Sequence, residues 1–213
     1  MTDVHCHVSA SDSAVAEFLI GRDFAGVHPW DAATWDAAAA DGLRARLTAD
    51  PALGVGEIGL DRLKARDVSP LMRTAFEEQL KLAAEFRRPV VLHGAKCWGQ
   101  VVRTIVTLGV AEKIPALLFH GFSRSDGLVP DIVKLNGFVS VGPAVLNDHA
   151  VNYRKLACLI PADRLVVETD RTPENAAECP SVRDVLAKLA ELRGVSAAEL
   201  ERTTDENARR FRP

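Results

Sequence analysis

The sequence predicts an α/β protein built on a parallel sheet. Short apolar runs alternate with longer segments in which apolar residues recur at helical spacing, the arrangement of strand–helix repeats. Several runs contain Val, Leu and Ile in succession, as in Val90–Leu92, which is typical of strands buried on both faces. The seven predicted strands are Thr2–His7, Phe24–His28, Leu53–Ile58, Pro89–His93, Ala116–His120, Gly137–Val141 and Leu165–Thr169.

The segments between these runs carry helix boundary signals. Ser69-Pro70 supplies an N-cap residue followed by proline at the first helical position, and Arg87–Pro89 supplies cations and a proline stop at the far end. The Ala-rich segment Asp36–Leu47 is also expected to be helical. Ser196–Glu199 has the spacing of a capping box and is expected to begin the last helix.

The composition is that of an ordinary globular protein and predicts one domain over residues 1–213. Hydrophobic residues make up 47% and charged residues 26%, which excludes a disordered, collagen-like or coiled-coil chain. The formal net charge of −3 excludes a strongly basic nucleic-acid coat. It does not exclude an enzyme that holds phosphate through bound metal, because the charge of the metal is absent from this sum.

Several features predict a cytoplasmic protein with no membrane association. No obligate protein partner is evident, and the oligomeric state is not readable from the sequence, with a monomer as the default. No apolar run approaches the roughly 18 residues that suggest a membrane span. The N-terminal residues Met1–His5 lack the basic and apolar regions of a secretory signal. The cysteines lie far apart, as expected of free thiols in a reducing compartment; they are Cys6, Cys97, Cys158 and Cys179.

Five of the six histidines lie at or beside the C-terminal end of a predicted strand. In parallel α/β folds these ends gather at one edge, where ligands bind. Two carboxylates, Glu57 and Asp170, occupy the same kind of position. Packing or capping explains each residue alone, but a structural role does not require all seven at strand ends, so the set predicts a metal site. The histidines are His5, His7, His28, His93 and His120.

The segment His5-Cys6-His7 is the clearest local signal. Side chains alternate across a strand, so residues two apart share one face. Both imidazoles can therefore reach one ion, with Cys6 turned away. A lone His-x-His pair is a weak signal, and the metal prediction depends on the joint pattern.

Several motifs together resemble the signature blocks of the TatD family. They occur in the family's order over nearly the whole chain. The blocks are Val4–His7, Gly26–Pro29, Gly56–Asp61, Pro89–His93, His120–Ser123, Glu168–Asp170 and Asn207–Phe211. The resemblance implies a TIM-type (β/α) barrel of the metal-dependent hydrolase superfamily. It also implies divalent-metal-dependent phosphodiester hydrolysis, usually DNase activity.

The resemblance further implies two divalent metal ions that share one carboxylate. The first ion would be held by His5, His7, Glu57 and Asp170, and the second by Glu57, His93 and His120. Glu57 can bridge because a carboxylate has two oxygen donors, which an imidazole lacks. Mg²⁺ is expected to support activity, whereas the imidazole ligands also suit Zn²⁺ or Mn²⁺.

Catalytic roles are assigned to Asp170, Glu57 and His28. A metal-bound water is expected to attack phosphorus, and Asp170 to take its proton. Glu57 would hold both ions in place. His28 matches a family position that faces the active site and contacts substrate phosphate, and with His120 it is a candidate to steady the phosphate or the leaving oxygen.

Lys96 and Arg124 are candidate substrate contacts in loops that follow His93 and His120. A cation at either place can hold a phosphate; the alternative is a solvated loop charge. The family often has Ser-Arg and Ser-Gly pairs around these places, so this sequence departs from the pattern there.

Four further residues near the strand ends have two interpretations each. Asp61 is expected to form a structural pair or to orient Glu57, and Glu168 to support a ligand or to form a buried ion pair. Trp30 and Trp98 are expected to pack within their loops, with stacking on a nucleobase as the alternative.

Together these observations predict a TatD-like deoxyribonuclease that uses two metal ions. The resemblance implies nucleic acid as the substrate, with DNA expected in preference to RNA. Ends or single strands are expected because the chain has no extended basic face. Two alternatives stay open. One is another amidohydrolase-superfamily enzyme acting on an ester, amide or lactone; such enzymes commonly bridge their metals with a carboxylated lysine, whereas this chain has Glu57. The other is a non-catalytic, metal-binding degenerate barrel.

The length predicts where the barrel is reduced. A complete (β/α)₈ barrel typically takes about 250 residues, and this chain has 213. The interval from His7 to His28 is too short for two strands with their helices. We therefore predict one helix over Ser9–Phe18 and a missing or vestigial second strand, which leaves an incomplete barrel with seven clear strands.

Overall fold

The computed structural model describes residues 1–64 and 66–212, in which parallel strands pack against helices. The strands are β1 (Thr2–Cys6), β2 (Ala16–Leu19), β3 (Phe24–Ala25), β4 (Gly54–Asp61), β5 (Val90–Ala95), β6 (Leu117–Phe119), β7 (Gly137–Val141) and β8 (Leu165–Val167). The α-helices are α1 (Ala37–Ala49), α2 (Pro70–Phe86), α3 (Trp98–Leu108), α4 (Val129–Lys134), α5 (Val151–Leu159), α6 (Val182–Arg193) and α7 (Ala197–Phe211). Strands and helices alternate from α1 to α6, as the sequence predicts.

The strands form the wall of an incomplete barrel. Six of them make one parallel sheet in the order β3-β4-β5-β6-β7-β8, and β1 pairs in parallel with β2. An isolated bridge between Ile20 and Phe24 connects β2 to β3. At the other edge, the backbone N–H of Asp170 donates to the carbonyl of His5 at 3.0 Å, which joins the end of β8 to β1. The predicted fold class is confirmed, and each of the seven predicted runs contains a strand.

The helix predicted over Ser9–Phe18 is wrong, and the second strand is present as β2. The first part of this segment is a loop in which Ser9 Oγ accepts the Ser11 N–H and Asp12 Oδ1 accepts the Ala14 N–H, both at 2.9 Å. Such bonds between side chains and nearby backbone compete with helix formation. Phe18 of β2 packs near Phe24, with ring centroids 6.5 Å apart. The prediction of seven strands is therefore corrected to eight: β3 is reduced to two residues, and the described chain has no helix between β1 and β2.

Local signals fix the helix ends as predicted. Ser69 Oγ accepts a hydrogen bond from the Met72 N–H at 3.1 Å at the start of α2. That helix ends at Phe86, and its C-cap residue Arg87 is left-handed, with a φ of 53°. Asp36 caps α1 through its side chain, and Ser196 caps α7 by accepting the Glu199 N–H. The reciprocal bond of the predicted capping box is absent from the contacts described for Ser196, and a complete capping box lies at Ser181 and Asp184 of α6 instead. These bonds satisfy backbone N–H groups that have no partner within the helix.

An apolar layer fills the barrel interior below the strand ends. It contains Val91, Leu118, Phe138 and Val166 from four strands, together with Phe211 of α7, all buried. Because side chains alternate along a strand, residues two positions further on face the same interior. Those residues are His93, His120, Ser140 and Glu168. The packed core therefore supports a polar layer directly above it.

The helices of the described ranges are all too short or too polar to cross a membrane. All four cysteines are free thiols. The cytoplasmic location stays a prediction.

Candidate metal centre

The predicted metal ligands and His28 converge at one edge of the barrel, each within or just after one of six strands. Glu57 lies within β4 and is buried, whereas the Asp170 side chain, in the loop after β8, is 47% exposed. The centre is therefore closed below and open at the barrel mouth. The imidazoles come from His5 and His7 on or after β1, His28 after β3, His93 in β5 and His120 after β6.

Oxygen Oε1 of Glu57 faces three imidazoles. It lies 2.5 Å from Nδ1 of His93 and 2.7 Å from Nε2 of His120. Nε2 of His28 lies 3.4 Å from the same oxygen and 3.4 Å from Nδ1 of His93. His28, which the family resemblance places toward the substrate, thus lies among the candidate ligands.

Oxygen Oε2 of Glu57 faces the His-x-His pair. Nε2 of His5 lies 3.5 Å and Nε2 of His7 lies 3.4 Å from this oxygen. The same two nitrogens lie 3.4 and 3.6 Å from Oδ1 of Asp170. Cys6 between them points away, with Sγ directed at the carbonyl of Phe18. His5 and His7 therefore share one face, with Cys6 turned away, as the alternation of side chains along a strand predicts.

The spacing of these atoms fits bound cations. Nε2 of His5 is buried and makes no hydrogen bond, although carboxylate oxygens lie 3.4 and 3.5 Å away. Two ligands that are each about 2.1 Å from one tetrahedral ion lie about 3.4 Å apart. The donor atoms form three sets, and within each set they all lie within 4.8 Å of one another. The sets are His5, His7 and Glu57; His28, Glu57 and His93; and His5, His120 and Asp170. The donor set and the orphaned nitrogen therefore fit divalent metal binding.

The grouping differs in one respect from the one that the family resemblance implies. The set around Oε1 joins His28 to Glu57 and His93, where the resemblance implies His120. His120 nevertheless points its Nε2 at the same oxygen. Both histidines are candidate ligands, and their separate roles stay predictions.

The ionisable groups of the centre hold one another in charged forms. Burial alone would lower the pKa of His5, but Asp170 and Glu57 raise that pKa well above its usual value. Burial alone would raise the pKa of Glu57, but His120, His28 and His5 lower it well below its usual value. Glu57 is therefore an anion at neutral pH, and the centre attracts positive charge.

Asp61 supports His93 rather than Glu57. Its Oδ2 accepts hydrogen bonds from Nε2 of His93 at 3.0 Å and from Nε1 of Trp30 at 2.7 Å. Its Oδ1 accepts two backbone N–H groups of the following loop. A carboxylate at Nε2 keeps the proton on that nitrogen and leaves Nδ1 free to bind a cation.

Asp3, which the sequence analysis did not identify, connects β1 to the residue before Asp170. Its carboxylate accepts the Thr169 hydroxyl at 2.6 Å, the Thr169 N–H at 3.0 Å and the His5 N–H at 3.3 Å. Burial raises the pKa of Asp3 to about 6. The signal in the sequence was an acidic residue inside an apolar strand, since a buried acid needs partners.

A cavity of about 790 Å³ opens beside Asp170. Arg124 lines it and is exposed; Lys96 is also exposed, at the end of β5, but does not line this cavity. His149 and Asn152 line it too, and the sequence analysis missed both. They belong to the polar segment after β7, so the available signal was their position past the C-terminal end of a strand.

Fold and centre together define a class of protein. Parallel strands joined by helices bring imidazoles around one buried glutamate, Glu57, with Asp170 beside His5. This is the architecture of a metal-dependent hydrolase barrel. The comparisons with known proteins give the particular family.

The sequence model of the family described as TatD related DNase matches residues 19–212. A protein named 3'-5' ssDNA/RNA exonuclease TatD from Cronobacter sakazakii is 34% identical over 200 residues, which cover 88% of this chain and 75% of the relative. The protein of that name from Pectobacterium carotovorum is 32% identical over 198 residues, with 87% and 75% coverage. The chain belongs to the TatD related DNase family, which confirms the predicted family and hydrolase class.

Solved structures agree on the fold. A TatD homologue from Escherichia coli matches with a TM-score of 0.75 and 24% identity, over 94% of this chain and 78% of the other. A TatD family hydrolase from Entamoeba histolytica matches with a TM-score of 0.75 and 14% identity, over 93% and 75%. The family match begins at residue 19 and leaves out His5 and His7, so the placement of these two residues depends on the structure.

Proposed function

We propose that this chain is a two-metal phosphodiesterase that removes nucleotides from the ends of single-stranded nucleic acid, with DNA preferred over RNA. The observation that carries the proposal is the position of Glu57, whose two oxygens face separate groups of imidazoles. A carboxylate so placed can hold two divalent cations side by side, the arrangement that suits in-line displacement at phosphorus. Relatives named ssDNA/RNA exonucleases support the choice of substrate.

The proposed ligands follow the contacts of the two Glu57 oxygens. His5, His7 and Asp170 would hold one ion together with Oε2, and His93 and His120 the other together with Oε1. Divalent ions bound there would neutralise the phosphodiester and acidify a bound water. Mg²⁺ is expected to support turnover, and Zn²⁺ or Mn²⁺ to be retained by the imidazoles.

Asp170 is proposed to take the proton from the attacking water. Burial alone would raise its pKa, but His5 lowers the pKa below its usual value, so the carboxylate is ionised at neutral pH. Its side chain is about half exposed at the mouth, where water arrives. Glu57 is only 4% exposed, which leaves its oxygens to ligands rather than to solvent.

His28 and Arg124 are proposed to contact the substrate phosphates. The His28 side chain is 20% exposed and lies beside Glu57, which suits a role on the reacting phosphodiester. Arg124 lines the cavity on the Asp170 side, where a neighbouring phosphate would pass. With a net charge of −3, the grip on nucleic acid is local, which favours ends and single strands over a long duplex footprint.

The test compares substrate classes with one preparation of the chain. Metal-stripped protein is given Mg²⁺, Mn²⁺ or Zn²⁺ and assayed on single-stranded DNA, single-stranded RNA, duplex DNA, and a panel of carboxylic esters, amides and lactones. We expect metal-dependent release of nucleotides, fastest from single-stranded DNA. Glu57→Gln is the matched control, since it keeps the size of the side chain and removes its charge.

Three results would contradict the proposal. Hydrolysis of an ester, amide or lactone without any phosphodiester cleavage would indicate another amidohydrolase-type reaction. Stoichiometric metal binding without turnover of any substrate would indicate a binding barrel. Equal activity of the wild type and Glu57→Gln would show that the Glu57 carboxylate has no role in hydrolysis.

A further inference from the structure

A second cavity, of about 290 Å³, adjoins the metal centre on the side of His93. Trp30, Asp61, Lys64 and Leu71 are among the residues that line it. Asp61 belongs to both places, because it lines the cavity and also accepts the hydrogen bond from Nε2 of His93. A molecule in this cavity therefore lies one residue away from a candidate metal ligand.

The indole N–H of Trp30 is held by a hydrogen bond, while much of the side chain is exposed to solvent. Its Nε1 donates to Asp61 at 2.7 Å, and its ring centroid lies 4.7 Å from that of His28. The residue is 55% exposed, whereas Trp35 and Trp98 are 9% and 4% exposed. Trp98 thus packs in the core as expected, and Trp30 does not. Leu71, in the same cavity, is 58% exposed, so two large apolar side chains meet solvent at one place.

Lys64 adds a cation to this surface. Its Nζ lies 3.8 Å from the centroid of the Trp30 ring. A cation–π contact at an exposed site contributes less than a base stacked on an aromatic ring. A nucleobase can therefore displace the ammonium group from the ring and leave Lys64 free for a phosphate of the same strand.

The two cavities lie at opposite ends of one chain of contacts. Asp61 of the small cavity contacts His93, which contacts Glu57; on the other side, Glu57 faces His5, which faces Asp170 of the large cavity. A phosphodiester over Glu57 is therefore connected to the small cavity through His93 and Asp61, and to the large cavity through His5 and Asp170. The small cavity suits a single nucleotide, and the large one suits the continuing strand.

We propose that Trp30 is a nucleobase site that stacks on the base of the terminal nucleotide during its removal. This inference rests on the proposed function and adds which part of the substrate lies on which side of the centre. Because every base has a π face, the site holds the terminal nucleotide without selecting its identity.

The test separates stacking from catalysis by removing the base instead of the ring. Three oligodeoxynucleotides are compared: an intact one, one with an abasic 3' terminal residue, and one with an abasic second residue. We expect Trp30→Ala to lower kcat/KM by roughly 5- to 150-fold on the intact and second-position substrates. On the terminally abasic substrate the variant and the wild type should be equal, because the stacking partner is already absent.

Val106→Ala is the matched control, since Val106 is also a large exposed apolar residue, 59% exposed, on α3. It should not change any of the three rates. An equal loss by Trp30→Ala on all three substrates would overturn the proposal, and so would no loss on any. If Trp30→Ala instead lost no activity relative to the wild type on the second-position abasic substrate, the ring would stack on the second base, and the proposal would be overturned.

A binding measurement keeps this inference separate from the proposed function. Trp30 is the exposed tryptophan, so an intact oligonucleotide should quench its fluorescence, a terminally abasic one should quench less, and Trp30→Phe should abolish the effect. A wild type that cleaves no oligonucleotide would contradict the proposed function, and quenching would still support the base site. Absence of quenching by the intact oligonucleotide would overturn the base site itself.

Discussion

His93 is held between two carboxylates, and Asp61 holds the side that faces away from the metal centre. Nε2 of His93 lies 3.0 Å from Oδ2 of Asp61, while Nδ1 lies 2.5 Å from Oε1 of Glu57. Asp61 lies four residues after Glu57 on β4, so one strand supplies both the central carboxylate and the support for its neighbour. The same Asp61 oxygen accepts the indole N–H of Trp30, which links the metal centre to the small cavity.

Asp61→Ala is expected to weaken metal binding and turnover about 10- to 100-fold, because His93 loses the partner that fixes its orientation and tautomer. Metal affinity by isothermal titration and kcat with saturating metal measure the two effects. Trp30→Phe is the comparison variant: it removes the indole N–H from Asp61 but leaves the bond to His93 in place, so it should keep its metal affinity. Unchanged metal affinity in Asp61→Ala would show that His93 does not need this support.

Glu57→Gln is expected to remove most hydrolysis and to reduce the number of bound ions, since an amide cannot give two anionic oxygens to two cations. Bound metal per chain is measured by elemental analysis after gel filtration. Circular dichroism is the control, and it should be unchanged. A variant that binds as much metal as the wild type would contradict the bridging role.

Metal removal is expected to lower the thermal stability of the chain. Nε2 of His5 is buried without a hydrogen-bond partner, and a bound cation would supply the missing contact. A ligand present at 100 times its Kd adds about 2.7 kcal/mol to the stability of the folded state. Chelation followed by stepwise return of Mn²⁺ or Zn²⁺ should lower and then restore the Tm. The size of the recovery should fall in His5→Ala, which removes a fully buried candidate ligand. A Tm that does not respond to metal would contradict metal binding by the residues around Glu57.

Asp23→Asn is expected to cost about 1–2 kcal/mol of stability near pH 7, because Asp23 joins the short turn between β2 and β3 to α7. Its carboxylate accepts the Leu19 N–H at 2.8 Å and lies 3.0 Å from Nη1 of Arg212. Burial alone would raise the pKa of Asp23, but Arg22, the Leu19 N–H and Arg212 lower it below 3.8.

The pH dependence of this effect has a definite sign. Since the pKa is lower in the folded chain, the contribution of Asp23 is present above the unfolded value of 3.8 and is lost as the pH falls through the folded value. Urea unfolding of both proteins at pH 7 and at progressively lower pH measures the difference. A difference that stays constant into strong acid would contradict the charge pairing.

Gly59→Ala is expected to destabilise the chain by about 3 kcal/mol or more. Gly59 has a φ of 154°, and an added Cβ would lie 2.0 Å from the backbone oxygen of His93 on the neighbouring strand. Gly99→Ala is the control: an added Cβ there meets no atom within 4 Å in α3, so it should stabilise by about 0.5–1 kcal/mol. Chemical denaturation measures the free energy of unfolding of both variants. An unchanged free energy of unfolding in Gly59→Ala would mean that β4 and β5 are less tightly paired than the structure indicates.

The sequence by itself determined the strands that carry the site and the residues at their ends. Runs such as Val90–Leu92 are apolar because both faces of the strand are buried, and this property is local to the run. A candidate ligand immediately after such a run, such as His93, lies at the same edge as the candidate ligands of the other parallel strands. Position along the chain therefore predicted that His120 and Asp170 lie at one edge, where His120 contacts Glu57 and Asp170 lies beside His5.

Only the tertiary structure decided which groups support those ligands and how the barrel is shortened. Ala16–Leu19 forms a strand because it pairs with β1, although its spacing also suited a helix. Asp61 faces His93 and Asp3 faces Thr169 across strands, contacts that no spacing within one segment encodes. The exposure of Trp30 likewise depends on what its neighbours leave uncovered. Strand ends are set by nearby residues, whereas partners across the barrel are set by packing between distant ones, and that is the physical reason for the division.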